Sequence, residues 1–102
     1  MNLKAVWNNS VIAEAPQEKL IRIEGNWYFP PEAMNKEHFT ENDMHTTCPW
    51  KGEASYFDVQ VDGETNQSAA WYYAEPKPTS LDRVGHDYTD YVAFWHGVEV
   101  TE

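Results

Sequence analysis

Ser55-Tyr56-Phe57-Asp58-Val59-Gln60-Val61-Asp62-Gly63-Glu64 is the stretch that decides the fold. Tyr56, Asp58 and Gln60 alternate with Phe57, Val59 and Val61, and a period of two is the mark of a strand with two unlike faces. Asp62-Gly63 then supplies residues that tolerate the positive φ of a tight hairpin, the strongest turn signal in the chain. The partner strand runs from Glu64 to Tyr73. Pro76 and Pro78 end it, because proline has no amide donor for the ladder. Alternation puts Trp71 and Tyr73 on one face of this strand and Tyr72 on the other.

Outward from this hairpin the pattern repeats. Leu3 to Trp7 alternates, Asn8-Asn9 turns, and Val11 to Ala15 resumes an apolar run. Leu20 to Ile23, a turn at Glu24-Gly25-Asn26, and Trp27-Tyr28-Phe29 form a second hairpin that Pro30-Pro31 closes. Tyr91 to Trp95 reads as a compact aromatic strand, and Gly97 turns it into Val98-Glu99-Val100. Pro31 to Thr47 loses the period and reads as one helical turn followed by an irregular polar loop. Thr79 or Ser80 is placed to cap a short helix with Asp82 in its first turn. The expectation is a mainly β fold: one small antiparallel domain over residues 1–102, with about eight short strands and one or two short helices.

Composition removes several functions. Seven Lys and Arg stand against 17 Asp and Glu, a formal charge of −10. That balance opposes nucleic-acid binding, which draws its affinity from phosphate neutralisation, and docking on an anionic membrane. No apolar run reaches the length of a spanning helix, and Met1-Asn2-Leu3-Lys4 does not open a signal peptide, so a cytoplasmic location is expected. The single cysteine, Cys48, leaves no internal disulfide framework. Asn8-Asn9-Ser10 and Asn66-Gln67-Ser68 match the glycosylation tripeptide, a pattern too short to weigh without a secretion signal. Aromatic residues make up 15% of the chain, enough for rings to carry a core with few members.

The densest chemistry lies in Thr47-Cys48-Pro49-Trp50-Lys51-Gly52. Lys51 in a rigid turn is positioned to meet an anionic group or to lower the pKa of the Cys48 thiol. The competing reading is structural: a tight turn with Cys48 buried as a small hydrophobe. His45 and Cys48 have metal-ligand spacing, but no second pair completes four ligands, so neither metal nor cofactor is expected. Most of the aromatic residues are core, with Tyr56 and Tyr72 the candidates to line a pocket beside Lys51. No paired carboxylates, nucleophile elbow or Gly-rich phosphate loop is present, and the scattered acids read as a solvated surface.

Taken in order, these motifs carry a resemblance over nearly the whole chain. Val6-Trp7-Asn8, Val11-Ile12-Ala13, Trp27-Tyr28-Phe29-Pro30, Thr47 to Tyr56, Asn66, Ala69-Ala70-Trp71-Tyr72, Pro76 and Tyr91-Val92-Ala93-Phe94 resemble the family catalogued as domain of unknown function 427. The resemblance implies a β-tent-like fold, similar in architecture to Mss4-like proteins and methionine-R-sulfoxide reductases. It does not bring their chemistry, since one cysteine supplies no zinc clamp and Thr47-Cys48-Pro49 is not the reductase context. Some catalogues name the family a nucleotidyltransferase-type domain, yet the chain shows no close-spaced metal-binding acids beside a phosphate-gripping turn.

Three functions stay open. The first is a small-molecule binder, anionic ligands included, with a pocket built from Tyr28, Cys48, Lys51, Tyr56, Trp71 and Tyr72. The second is a protein-interaction module using exposed rings or an open strand edge. The third is an enzyme in which Lys51 stabilises negative charge and a tyrosine moves a proton.

Overall fold

Three hairpins close on two-residue loops in which both central residues have positive φ, the backbone that type I′ turns require. Asn8-Asn9 (51° and 64°) joins β1 (Asn2–Trp7) to β2 (Ser10–Pro16) in the computed structural model, which describes residues 1–102. Glu24-Gly25 (52° and 84°) joins β3 (Ile21–Ile23) to β4 (Asn26–Tyr28). A third strand pair follows β5 (Phe39–Cys48): Asp62-Gly63 (50° and 78°) connects β6 (Gly52–Val61) to β7 (Glu64–Tyr72). A short helix, α1 (Pro78–Val84), precedes β8 (Val92–Phe94) and β9 (Glu99–Thr101). The strands form three antiparallel sheets, ordered β2-β1-β9, β3-β4 and β5-β6-β7-β8. The fold is mainly β with a short helix, as the alternation predicts. No helix is long and apolar enough to cross a membrane.

The four-stranded sheet divides the interior. The cross-strand row Tyr56–Trp71–Ala93 faces one side, and the rows Phe57–Ala70–Phe94 and Ser55–Tyr72–Val92 face the other. The first side packs with Ile23, Tyr28, Tyr73 and Tyr88. The second meets Leu3, Ala5, Ile12 and Phe29 in the larger core. Aromatic edges fill both: Tyr28 meets Trp71 and Tyr88 at 6.2 Å, and Phe29 meets Phe94 at 5.6 Å.

Three local expectations are corrected. Pro31 to Thr47 is not an irregular loop: after two 3-10 turns it becomes the ten-residue strand β5. β5 is the outer strand of its sheet, mostly polar and exposed between Phe39 and Cys48 and interrupted between Glu41 and His45, so no period of two survives in its sequence. The helix starts at Pro78 rather than after a Thr79 or Ser80 cap, because proline's fixed φ suits the first helical position, and its first turn holds no acid. Ser80 turns inward instead and donates its hydroxyl to the Lys77 carbonyl at 2.6 Å. Trp95 lies beyond β8, with its indole N–H donated to the Ser68 carbonyl.

Candidate functional site

The turn between β5 and β6 carries Pro49, Trp50 and Lys51. Gly52 follows with φ 115°, where a Cβ would stand 3.3 Å from the Glu75 carbonyl oxygen. The chain past β7 docks on this turn: the Lys77 amide donates to the Lys51 carbonyl at 2.9 Å and its ammonium to the Pro49 carbonyl at 2.8 Å. Lys51 is therefore held inward, with only 6% of its surface exposed.

Its ammonium donates to the carboxylate of Glu24, at the tip of the β3–β4 hairpin, and lies 5.2 Å from the ring centres of both Trp50 and Tyr73. The Arg83 guanidinium sits over Trp50 at 4.4 Å. Burial works against the charged form of Lys51. The Glu24 hydrogen bond, with Tyr28 and Tyr73 nearby, outweighs it and holds the ammonium above its ordinary range. The same bond holds the Glu24 carboxyl below the usual carboxylate value. Burial pushes the Tyr73 phenol up to about 12, and raises Tyr28 and Tyr88 as well. At neutral pH this network is an ammonium, a carboxylate and neutral phenols. Its one carboxylate and its ammonium are paired with each other.

The six predicted site residues do not form one pocket. Tyr28 is fully buried and accepts the Trp71 indole N–H at 3.1 Å. Tyr56 is buried, with its hydroxyl 2.8 Å from the Thr46 hydroxyl. Cys48 is half-buried against the same cluster. These and Lys51 share one side of the sheet, and none of them lines any of the three surface concavities. Tyr72 stands apart from the other five. Its partner across the ladder is Ser55, whereas Tyr56 pairs with Trp71, so the Tyr56 and Tyr72 rings point to opposite faces.

On that opposite face Tyr72 does line a cleft, of about 510 Å³. Phe39, Phe57, Met34 and Val92 supply its apolar walls, and Lys36, Glu41 and Asp90 its charged groups. Tyr72 stacks on Phe57 with ring centres 4.8 Å apart, and Phe39 meets Phe57 edge-on at 5.7 Å. The Tyr72 hydroxyl donates to Glu41 at 2.9 Å; burial and that carboxylate both raise its pKa. The other two concavities, of about 350 and 390 Å³, are mainly polar.

Sequence reasoning missed Phe39, Glu41 and Phe57 as cleft residues. Phe39 and Glu41 lay in the segment read as a loop. Phe57 was legible: the two-residue Asp62-Gly63 turn sets Val61 opposite Glu64, which puts Tyr72 in phase with Ser55 and Phe57 rather than Tyr56. A bulge on β7 inserts two residues between the pairs Val59–Asn66 and Phe57–Ala70, so this phase is preserved. Asp58 holds the bulge by accepting the Ser68 amide at 2.9 Å and the Asn42 side chain at 2.7 Å.

No group of three His, Cys, Asp or Glu side chains is arranged to hold a metal ion; His45 instead lies 3.2 Å from the Ser55 hydroxyl. Comparison with curated proteins gives no match. The family model NTP_transf_9, described as a domain of unknown function (DUF427), matches residues 1–102, and the chain belongs to that family.

Proposed function

We propose that the protein binds a small molecule in the cleft where Tyr72 stacks on Phe57. The observation that supports this is the cleft's make-up: about 510 Å³, mostly apolar walls, and three charged groups in its lining. Small-molecule sites are concavities of about 300–1,000 Å³ with this division between apolar lining and a few convergent polar groups. The site differs from the pocket expected around Lys51. There the cation is already paired and enclosed, and its role in this reading is to brace the β3–β4 hairpin against the sheet.

The test is an amide NMR titration with a set of small aromatic fragments. Saturable shifts clustered at Phe39, Glu41, Phe57, Tyr72 and Val92, lost in Tyr72→Ala, are expected. A set that moves none of these amides would refute the reading.

One observation favours a second reading, anion capture at Lys51. The Glu24 side chain is 54% exposed, so the anion now paired with the ammonium is in contact with solvent and open to exchange. The chain's charge of −10 works against it. Titration with Mg-ATP separates the two, since this reading requires shifts at Glu24, Trp50 and Lys51 and none at Tyr72.

A further inference from the structure

We infer that the Tyr72 cleft selects cationic ligands: an aromatic or aliphatic body that carries a protonated amine. This deepens the proposed function and rests on it. The charged groups at the cleft are two carboxylates, Glu41 and Asp90, against one ammonium, Lys36. The field of the whole chain has the same sign, at −10.

Hydrogen-bond capacity points the same way. The Tyr72 hydroxyl spends its proton on Glu41, which leaves the phenol oxygen as an acceptor. Apart from Lys36, the polar side chains around the cleft therefore present acceptors. A protonated ligand amine carries only donors.

The aromatic walls add to this. Phe39, Phe57 and Tyr72 border the same space as the carboxylates, and ring faces attract a cation held near them. An anionic ligand has only Lys36 to meet and must approach two carboxylates. A neutral ligand gains the walls but not the charge. The ligand class that uses every group in the cleft except Lys36 is a small arylalkylamine.

The experiment is a titration of the full chain with a matched series: phenethylamine, phenethyl alcohol and phenylacetate. It is read by amide shifts at neutral pH and low salt. The amine is expected to bind up to about fivefold tighter than the alcohol, the upper limit for one exposed ion pair, with the carboxylate weakest. The amine's advantage should fall to within about twofold in Glu41→Gln/Asp90→Asn, and should shrink as salt is added. Glutamine keeps an acceptor for Tyr72, and asparagine tolerates the positive φ of 63° at position 90, so this variant retains the fold. Its amide dispersion checks that directly. If the alcohol or the carboxylate binds at the cleft as tightly as the amine, the charge selection is wrong and the cleft reading stands. If none of the three moves the cleft amides, both fail.

Discussion

Glu24→Gln should destabilise the protein more than Lys51→Met, although Glu24 is the more exposed partner. The reason is the asymmetry of burial: Lys51 is 6% exposed, while the Glu24 side chain is 54% exposed. Removing the carboxylate leaves an enclosed ammonium with no anion, and breaking a fully buried pair in this way costs about 3–5 kcal/mol. Because one partner reaches water, solvent takes over part of its role, and fully exposed pairs contribute only about 0.2–1 kcal/mol. The expected cost lies between these limits, at about 1–2 kcal/mol. For a domain of this size that is a drop in Tm of about 5–15 °C. Lys51→Met keeps the apolar stem between Trp50 and Tyr73 and returns Glu24 to water, so its cost should stay below about 1 kcal/mol. The double variant should match Lys51→Met alone.

Urea unfolding followed by tryptophan fluorescence measures all three. Glu24 is held below its ordinary value of 4.5, so its contribution is present above that pH and fades as pH falls through the folded-state value. Lys51 is held above 10.5, so its contribution is present below that pH and fades only as pH rises beyond it. The gap between wild type and Glu24→Gln should therefore be flat from 4.5 up to the pH at which the variant's buried, unpaired Lys51 loses its proton, which burial sets below the ordinary lysine value, and should narrow on either side. A Glu24→Gln variant as stable as wild type, or a Lys51→Met variant that loses more, would refute the reasoning.

Ser80→Ala removes the acceptor of the Tyr88 hydroxyl, a 2.8 Å bond in which the tyrosine is fully buried, and should cost about 1–3 kcal/mol in thermal unfolding. Adding Tyr88→Phe should recover part of that loss, since no orphaned donor remains. Gly52→Ala forces a side chain into φ 115° and against the Glu75 carbonyl, so it should lower stability by more than about 1 kcal/mol. Gly25→Ala, with open space around its Cβ, should cost less in the same denaturation assay. Tyr72→Phe should lose less than about 1 kcal/mol of stability, because its partner Glu41 is exposed and water replaces the bond.

The three tight hairpins were determined locally. Asn8-Asn9, Glu24-Gly25 and Asp62-Gly63 each reverse the chain because their residues tolerate positive φ, a steric property that needs no distant contact. The faces of β7 were equally legible, since alternation alone separates Tyr72 from Trp71 and Tyr73. What Lys51 touches was not. Its partner Glu24 lies 27 residues away on another hairpin, and Coulomb attraction carries no trace in local pattern. β5 was hidden because an outer strand that is mostly exposed between Phe39 and Cys48 has no apolar period, and only its pairing with β6 defines it. The cleft combines both difficulties: Phe39 and Glu41 come from that hidden strand, and Met34 and Lys36 from the 3-10 region before it. The residues thus determined the turns, the strands with one dry face and the family signature. Tertiary packing alone decided which charges meet and where the surface becomes concave, because both depend on distances between segments far apart in the chain.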